Sequence, residues 1–273
     1  MYLAISQALI LVGFEKSIYT WTFALFAATL LIYSQTNTPD LKKFFFLETN
    51  SLKLSLLSIA LVIVNFAFII LFAVIFGAKY SLDFNALSIV GASKFLLQTI
   101  IMAANEELVF RGLLFLSLIF LLGNAKAVVF TSIIFAGVHL ANPNVSTAGV
   151  LNIFIAGVAF SSIALITKSL FPVFVFHFFW NFLEYMAIGS PVSGVIFPTQ
   201  PIGHLELTKL SETTKFFTGG YFGIEEGFIT TILLIVNIYF FKFVTYKFNL
   251  IAVESNSALL RSKIIYSEQF NKI

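Results

Sequence analysis

The sequence contains no cysteine, which excludes disulfides, thiolate metal sites and cysteine nucleophiles. Charge is scarce as well. Asp, Glu, Lys and Arg make up 11% of residues, against about a quarter in a typical soluble domain. The small positive excess, +3 at neutral pH, lies in loops and toward the C-terminus, so it reads as a topology signal and no nucleic-acid partner is expected. No internal repeat is visible, nor an inverted pair of broken helices of the kind that marks many transporters. The first apolar stretch lacks a basic leader region and a small-residue cleavage site, so no cleavable signal peptide is expected.

What the chain has in abundance is apolar surface. Hydrophobic residues are 59% of the total and Phe alone occurs 35 times. The 273 residues offer runs long enough for about seven membrane spans of about 20 residues each. These are Ile18–Tyr33, Leu54–Phe76, Phe95–Leu122, Ala127–Ala141, Ala148–Thr167, Leu170–Ile188 and Phe228–Phe243. The expected fold is therefore all-α, a polytopic bundle of about seven or eight helices around a polar intramembrane cavity. Residues 1–94 form the N-terminal spans, 95–190 a helical core, 191–227 a loop, and 228–273 the last span with a basic tail. Lys42, Lys43, Lys53, Lys126, Lys168, Lys242, Lys247, Arg261, Lys263 and Lys272 fall on one side. Only Lys16, Lys79, Lys94, Lys209 and Lys215 fall on the other. The positive-inside rule then puts the C-terminus in the cytoplasm.

Against this background a few polar residues stand out. Asn105-Glu106-Glu107 and Arg111, His139, and His177 with Asn181 all fall inside apolar segments. An ionisable residue at mid-membrane costs roughly 2.5–3.5 kcal/mol on insertion scales, so a cluster of them points to an active site. Glu107 and Arg111 are four apart and face each other on a helix, forming a structural ion pair. Glu106 lies about 100° round the helix and is left free to react. Glu184 continues the stripe of His177 and Asn181, and either lines the cavity or snorkels at its helix end. His204 reads as a loop residue. Glu225 and Glu226 read as complements to the dipole of the last helix.

Two chemistries fit these residues. In one, Glu106 is a general base toward water, His139 orients that water, and His177 and Asn181 donate to an oxyanion. In the other, Glu106, His139 and His177 hold a divalent metal such as zinc that activates water. Both lead to peptide or amide hydrolysis. Measured along the helices, however, Glu106, His139 and His177 lie roughly 16, 12 and 7 residues deep, a spread of roughly 14 Å at about 1.5 Å per residue. The long third span has to tilt or break for them to meet.

The chain has E-E-x-x-x-R at Glu106-Glu107 and Arg111, F-x-x-x-H at Phe135 and His139, and H-x-x-x-N at His177 and Asn181, in that order. In this it resembles the CPBP family of intramembrane proteases, also called the Abi or CAAX-protease family. The loop Thr218–Gly227 is similar to a glycine-rich segment that precedes the last helix in bacterial members. The resemblance implies a helical bundle with a water-filled cavity. It makes Glu106 the catalytic carboxylate, His139 its partner, and His177 and Asn181 oxyanion donors or part of a metal site. It also implies a membrane-embedded or lipidated peptide substrate and a location in a bacterial cell membrane, with roles in maturation or bacteriocin self-immunity. A catalytically silent immunity or scaffold protein and a proton-coupled transporter are the other function classes considered.

Overall fold

The structure, a computed structural model, describes residues 50–86, 88–207, 211–248 and 250. The expected span Ile18–Tyr33 and most of the basic tail lie outside the described residues. Helix α1 (Ser51–Ile75) is followed by strand β1 (Tyr80–Leu82) and helix α2 (Ile89–Glu107). A π-helical segment, Leu108–Phe115, joins α2 to α3 (Leu116–Leu122), and α4 (Asn124–Val138), α5 (Thr147–Thr167) and α6 (Phe171–Ile188) follow. After β2 (Gly203–Leu205) and the short α7 (Glu212–Thr218), helix α8 (Phe228–Lys247) completes the bundle.

Five helical stretches, Ser51–Ile75, Asn124–Ala141, Thr147–Thr167, Phe171–Ile188 and Phe228–Lys247, are long and apolar enough to cross a membrane. Large apolar side chains on α1, α4 and α8, among them Leu56, Phe68, Leu71, Ile133, Val236 and Phe243, are exposed. A belt of that size is tolerated where the neighbouring solvent is lipid. The chain is an integral membrane protein with an all-α architecture. Helix α6 is the most enclosed of the five, with 67% of its residues buried. Pro172 in its first turn costs no helical hydrogen bond, and Gly189, at φ 71°, ends it.

Polar stitching holds α6 to α1. Ser58 donates to the Pro172 carbonyl at 2.9 Å and Ser51 to the Ser169 hydroxyl at 3.0 Å. Phe66 meets Trp180 edge-on at 5.1 Å. On the other side of the bundle, α4 and α5 approach closely where Gly157 faces Ser132. A Cβ on Gly157 would lie 2.9 Å from the Ser132 Cα. Small residues at such crossings let backbones meet where lipid supplies no hydrophobic drive.

Two stretches depart from plain spans. The third expected span is not one continuous α-helix: the widened π turns begin directly after Glu107, and Gly123, at φ 79°, ends the run. The stretch after α6 also carries structure. β2 pairs antiparallel with β1, Tyr80 opposite Leu205 and Ser81 opposite His204, so His204 is a strand residue. Val192, Ser193 and Val195, between α6 and β2, and Glu225, before α8, reach the interior.

Replacing Gly157 with Val is expected to cost about 1–3 kcal/mol through overpacking, read as a lower thermal midpoint in detergent. Gly137→Ala, where an added Cβ meets nothing within 4 Å, should leave the midpoint unchanged or raise it.

Candidate active site

The site begins with one buried carboxylate oxygen. Glu107 Oε1 accepts from Arg111 Nη1 at 2.9 Å and from His177 Nδ1 at 2.7 Å. Glu107 and Arg111 are fully buried, and removing either partner of such a pair strands a charge in the interior. Only one guanidinium nitrogen finds a hydrogen bond. Nε and Nη2 have none among the described residues. Ring faces take their place, with Phe135 at 4.3 Å and Phe160 at 5.1 Å from the guanidinium carbon, within range of cation–π attraction.

Phe135 thus serves the site twice. Its ring faces Arg111, and its carbonyl takes His139 Nδ1 at 2.7 Å. Because a carbonyl only accepts, the His139 proton sits on Nδ1 and Nε2 is left as an acceptor. Phe160 lies 4.9 Å from the His177 ring, so the same aromatic shell fixes both the cation and the second imidazole. His177 turns its Nε2 toward Glu106, whose Oε2 is 3.8 Å away. That gap is too long for a hydrogen bond and short enough for one water molecule to touch both atoms.

Glu106, His139, His177 and Asn181 all line one cavity of about 410 Å³, together with Asn105, Asn142, Asn152, Ser193 and Glu225. The rest of its wall is apolar, from Met102 and Phe110 to Trp180 and Leu234. Glu107 and Arg111 stand behind this wall. The π turns begin directly after Glu107, and Glu106 shares the cavity lining with both histidines. As for a metal, an imidazole with an anchored Nδ1 and a free Nε2 is the usual form of a ligating histidine. Yet among the described residues no three His, Asp or Glu side chains converge closely enough to hold a metal ion. The residues do not form such a set as they stand, and no step below passes through one.

Spacing along a helix could not reveal two features. One is the second partner of Glu107: sequence reading pairs it with Arg111, whereas in the fold it also orients His177. The other is Glu225. Its Oε2 accepts from the Ser193 backbone N–H at 2.7 Å and the Ser193 hydroxyl at 2.5 Å. Asn142 holds the Ser193 carbonyl at 2.9 Å, and Asn152 holds the Glu225 and Gly227 carbonyls at 2.7 and 2.9 Å. Burial pushes the Glu225 carboxyl above its usual range, opposed by the Ser193 hydrogen bonds and by His139 and His177. Glu184, by contrast, neither lines the cavity nor snorkels. It is fully buried, with the Ser190 hydroxyl 3.3 Å from its carboxylate, because the chain after α6 folds over it.

Compared with known proteins, residues 87–183 match the family model described as Type II CAAX prenyl endopeptidase Rce1-like. The matched segment contains all three motifs and little more than a third of the chain. No curated protein matches the chain, and no solved structure does.

Arg111→Met should destabilise the protein by about 3–5 kcal/mol, because Glu107 loses its cation inside a sealed site. Glu106→Gln, at a partly exposed cavity position, should leave the thermal midpoint within experimental scatter. Equal midpoints for the two variants would contradict this division.

Proposed function

From the match of residues 87–183 to the Type II CAAX prenyl endopeptidase Rce1-like family model, we propose that this chain hydrolyses a peptide bond of a membrane-embedded or lipidated substrate inside its own cavity. The observation that carries the reading is the pairing of Glu106 with His177 across 3.8 Å, in a cavity that His139 and Asn181 also line.

The protonation pattern follows from the partners. His139 carries its proton on Nδ1, so its Nε2 accepts one hydrogen of the nucleophilic water and orients it. Glu106 takes the other hydrogen as the oxygen attacks the carbonyl carbon. His177 lies between two carboxylates, and with Arg111 its imidazolium makes the four-residue cluster neutral, the cheapest arrangement in an apolar medium. In that form its Nε2 donates to the developing oxyanion, and Asn181, one turn further along α6, donates with it. Glu107 and Arg111 act behind the wall by holding the His177 ring in place.

The positive-inside bias supports a cytoplasmic C-terminus, and the family resemblance supports a bacterial cell membrane as the setting. There the enzyme would serve peptide maturation or self-immunity to a bacteriocin. The substrate class is supported by the match to a CAAX-type endopeptidase model and by the apolar helices that surround the cavity.

The test uses purified full-length protein in liposomes and a panel of transmembrane and prenylated peptides, with products read by mass spectrometry. Glu106→Gln and His139→Ala should each lower cleavage by about 10²–10⁴-fold without unfolding the protein, and Asn181→Ala by about 10²–10³-fold. Cleavage should survive exhaustive chelation. Undiminished cleavage by Glu106→Gln would remove Glu106 from the mechanism, and a chelation loss reversed by zinc would replace this route with a metal-dependent one.

A further inference from the structure

Peptide hydrolysis needs two proton transfers of opposite sense. A base takes a proton from water, and an acid delivers one to the leaving nitrogen, since an amide anion is too poor a leaving group to depart unaided. Glu106 and His139 serve the first transfer. A separate carboxyl group with the geometry for the second is Glu225, which lines the same cavity.

Three observations set Glu225 apart from an incidental loop residue. First, it is held firmly. Asn142, Asn152 and Ser193 fix its carboxylate or the backbone beside it, Ser190 takes the Ile224 N–H at 3.0 Å, and Thr230 donates to the Ile224 carbonyl at 2.7 Å. Four polar side chains, Asn152, Ser190, Ser193 and Thr230, bond this short turn or its carboxylate, and Asn142 holds Ser193 in turn, the support expected of a preorganised functional group. Second, both Ser193 hydrogen bonds to the carboxyl fall on Oε2. With Oε2 accepting as the carbonyl oxygen, the proton of the acid form sits on Oε1. Third, Glu225 lines the same cavity as Glu106, His139, His177 and Asn181, so it faces the space assigned to water and oxyanion. Burial raises its carboxyl above the usual range, against the lowering effect of the Ser193 hydrogen bonds and the two imidazoles.

We propose that Glu225 is the general acid of this site and protonates the leaving amine. The inference rests on the endopeptidase reading. When the tetrahedral intermediate collapses, the carbon–oxygen double bond re-forms and the carbon–nitrogen bond breaks. The bonding pair goes to nitrogen, and nitrogen takes the Oε1 proton. The proton that Glu106 removed from water then returns to Glu225 through cavity water. One water is consumed, one carboxyl and one amine are formed, and both glutamates end as they began.

Glu225→Gln keeps an oxygen for Ser193 and should fold like the wild type. The probes are the fastest-cut peptide of the liposome panel and the same peptide with its scissile amide replaced by an ester, whose alkoxide leaves with far less help. Amide cleavage should fall about 100-fold or more, and ester cleavage less than about tenfold. Equal losses on both would make Glu225 a positioning residue only, and undiminished amide cleavage would leave both transfers to Glu106. Infrared spectra of the substrate-free protein at neutral pH give an independent reading. The carbonyl stretch of a protonated carboxylic acid should be lost in Glu225→Gln and distinguished from any band lost in Glu184→Gln. No loss specific to Glu225 overturns the assignment. A wild type that cuts no peptide of the panel fails the endopeptidase reading itself and the acid role with it, an outcome unlike either unequal or equal loss.

Discussion

Glu107 Oε1 is the atom on which the rest of the site depends. It takes a guanidinium from its own helix and an imidazole from α6, so two structural elements are joined through a single acceptor. In water such a double contact would be worth little. In an enclosed apolar wall it is worth much more, because no solvent competes and each member lost leaves a charge exposed to low dielectric. The aromatic faces of Phe135 and Phe160 complete the enclosure. The position of His177, and through it the relation of Glu106 to the second imidazole, follows from that one oxygen.

The same logic explains why the chain after α6 is so polar at its turns. Ser190, Ser193 and Glu226 lie where backbone without regular structure comes close to membrane depth. Such backbone is tolerated only where its N–H and C=O groups meet protein partners or line a cavity. Here they meet both. Ser146 reaches Glu226 at 2.6 Å, the Gly194 N–H reaches the Phe222 carbonyl at 2.7 Å, and Phe222 lies flat against Gly149. The irregular segment becomes part of the wall rather than a flexible cover.

Much of this was legible in the amino-acid order. Long apolar runs specify α1, α4, α5, α6 and α8, because length and hydropathy alone decide whether a helix suits a bilayer. The three motifs marked the residues around the cavity, because a charge in such a run has few other reasons to exist. The π-helical segment has no local signature in the sequence. Periodicity assumes a constant pitch, and a widened turn violates that assumption. The second partner of Glu107 and the pairing of β1 with β2 join residues far apart in sequence, which no local pattern encodes. Glu225 was read as a dipole partner for α8 because that local role needs nothing beyond its position. Ser193, which gives it another, is thirty-two residues away.

The cavity is closed by the parts of the chain made late. Glu106, His139 and His177 precede the wall that Glu225, Thr230 and Leu234 complete. In chain order, the groups that handle water and oxyanion come before the segment that completes the wall facing them. A chain cut before Ile224 would keep Glu106, His139, His177 and Asn181 and lose one side of the space they share.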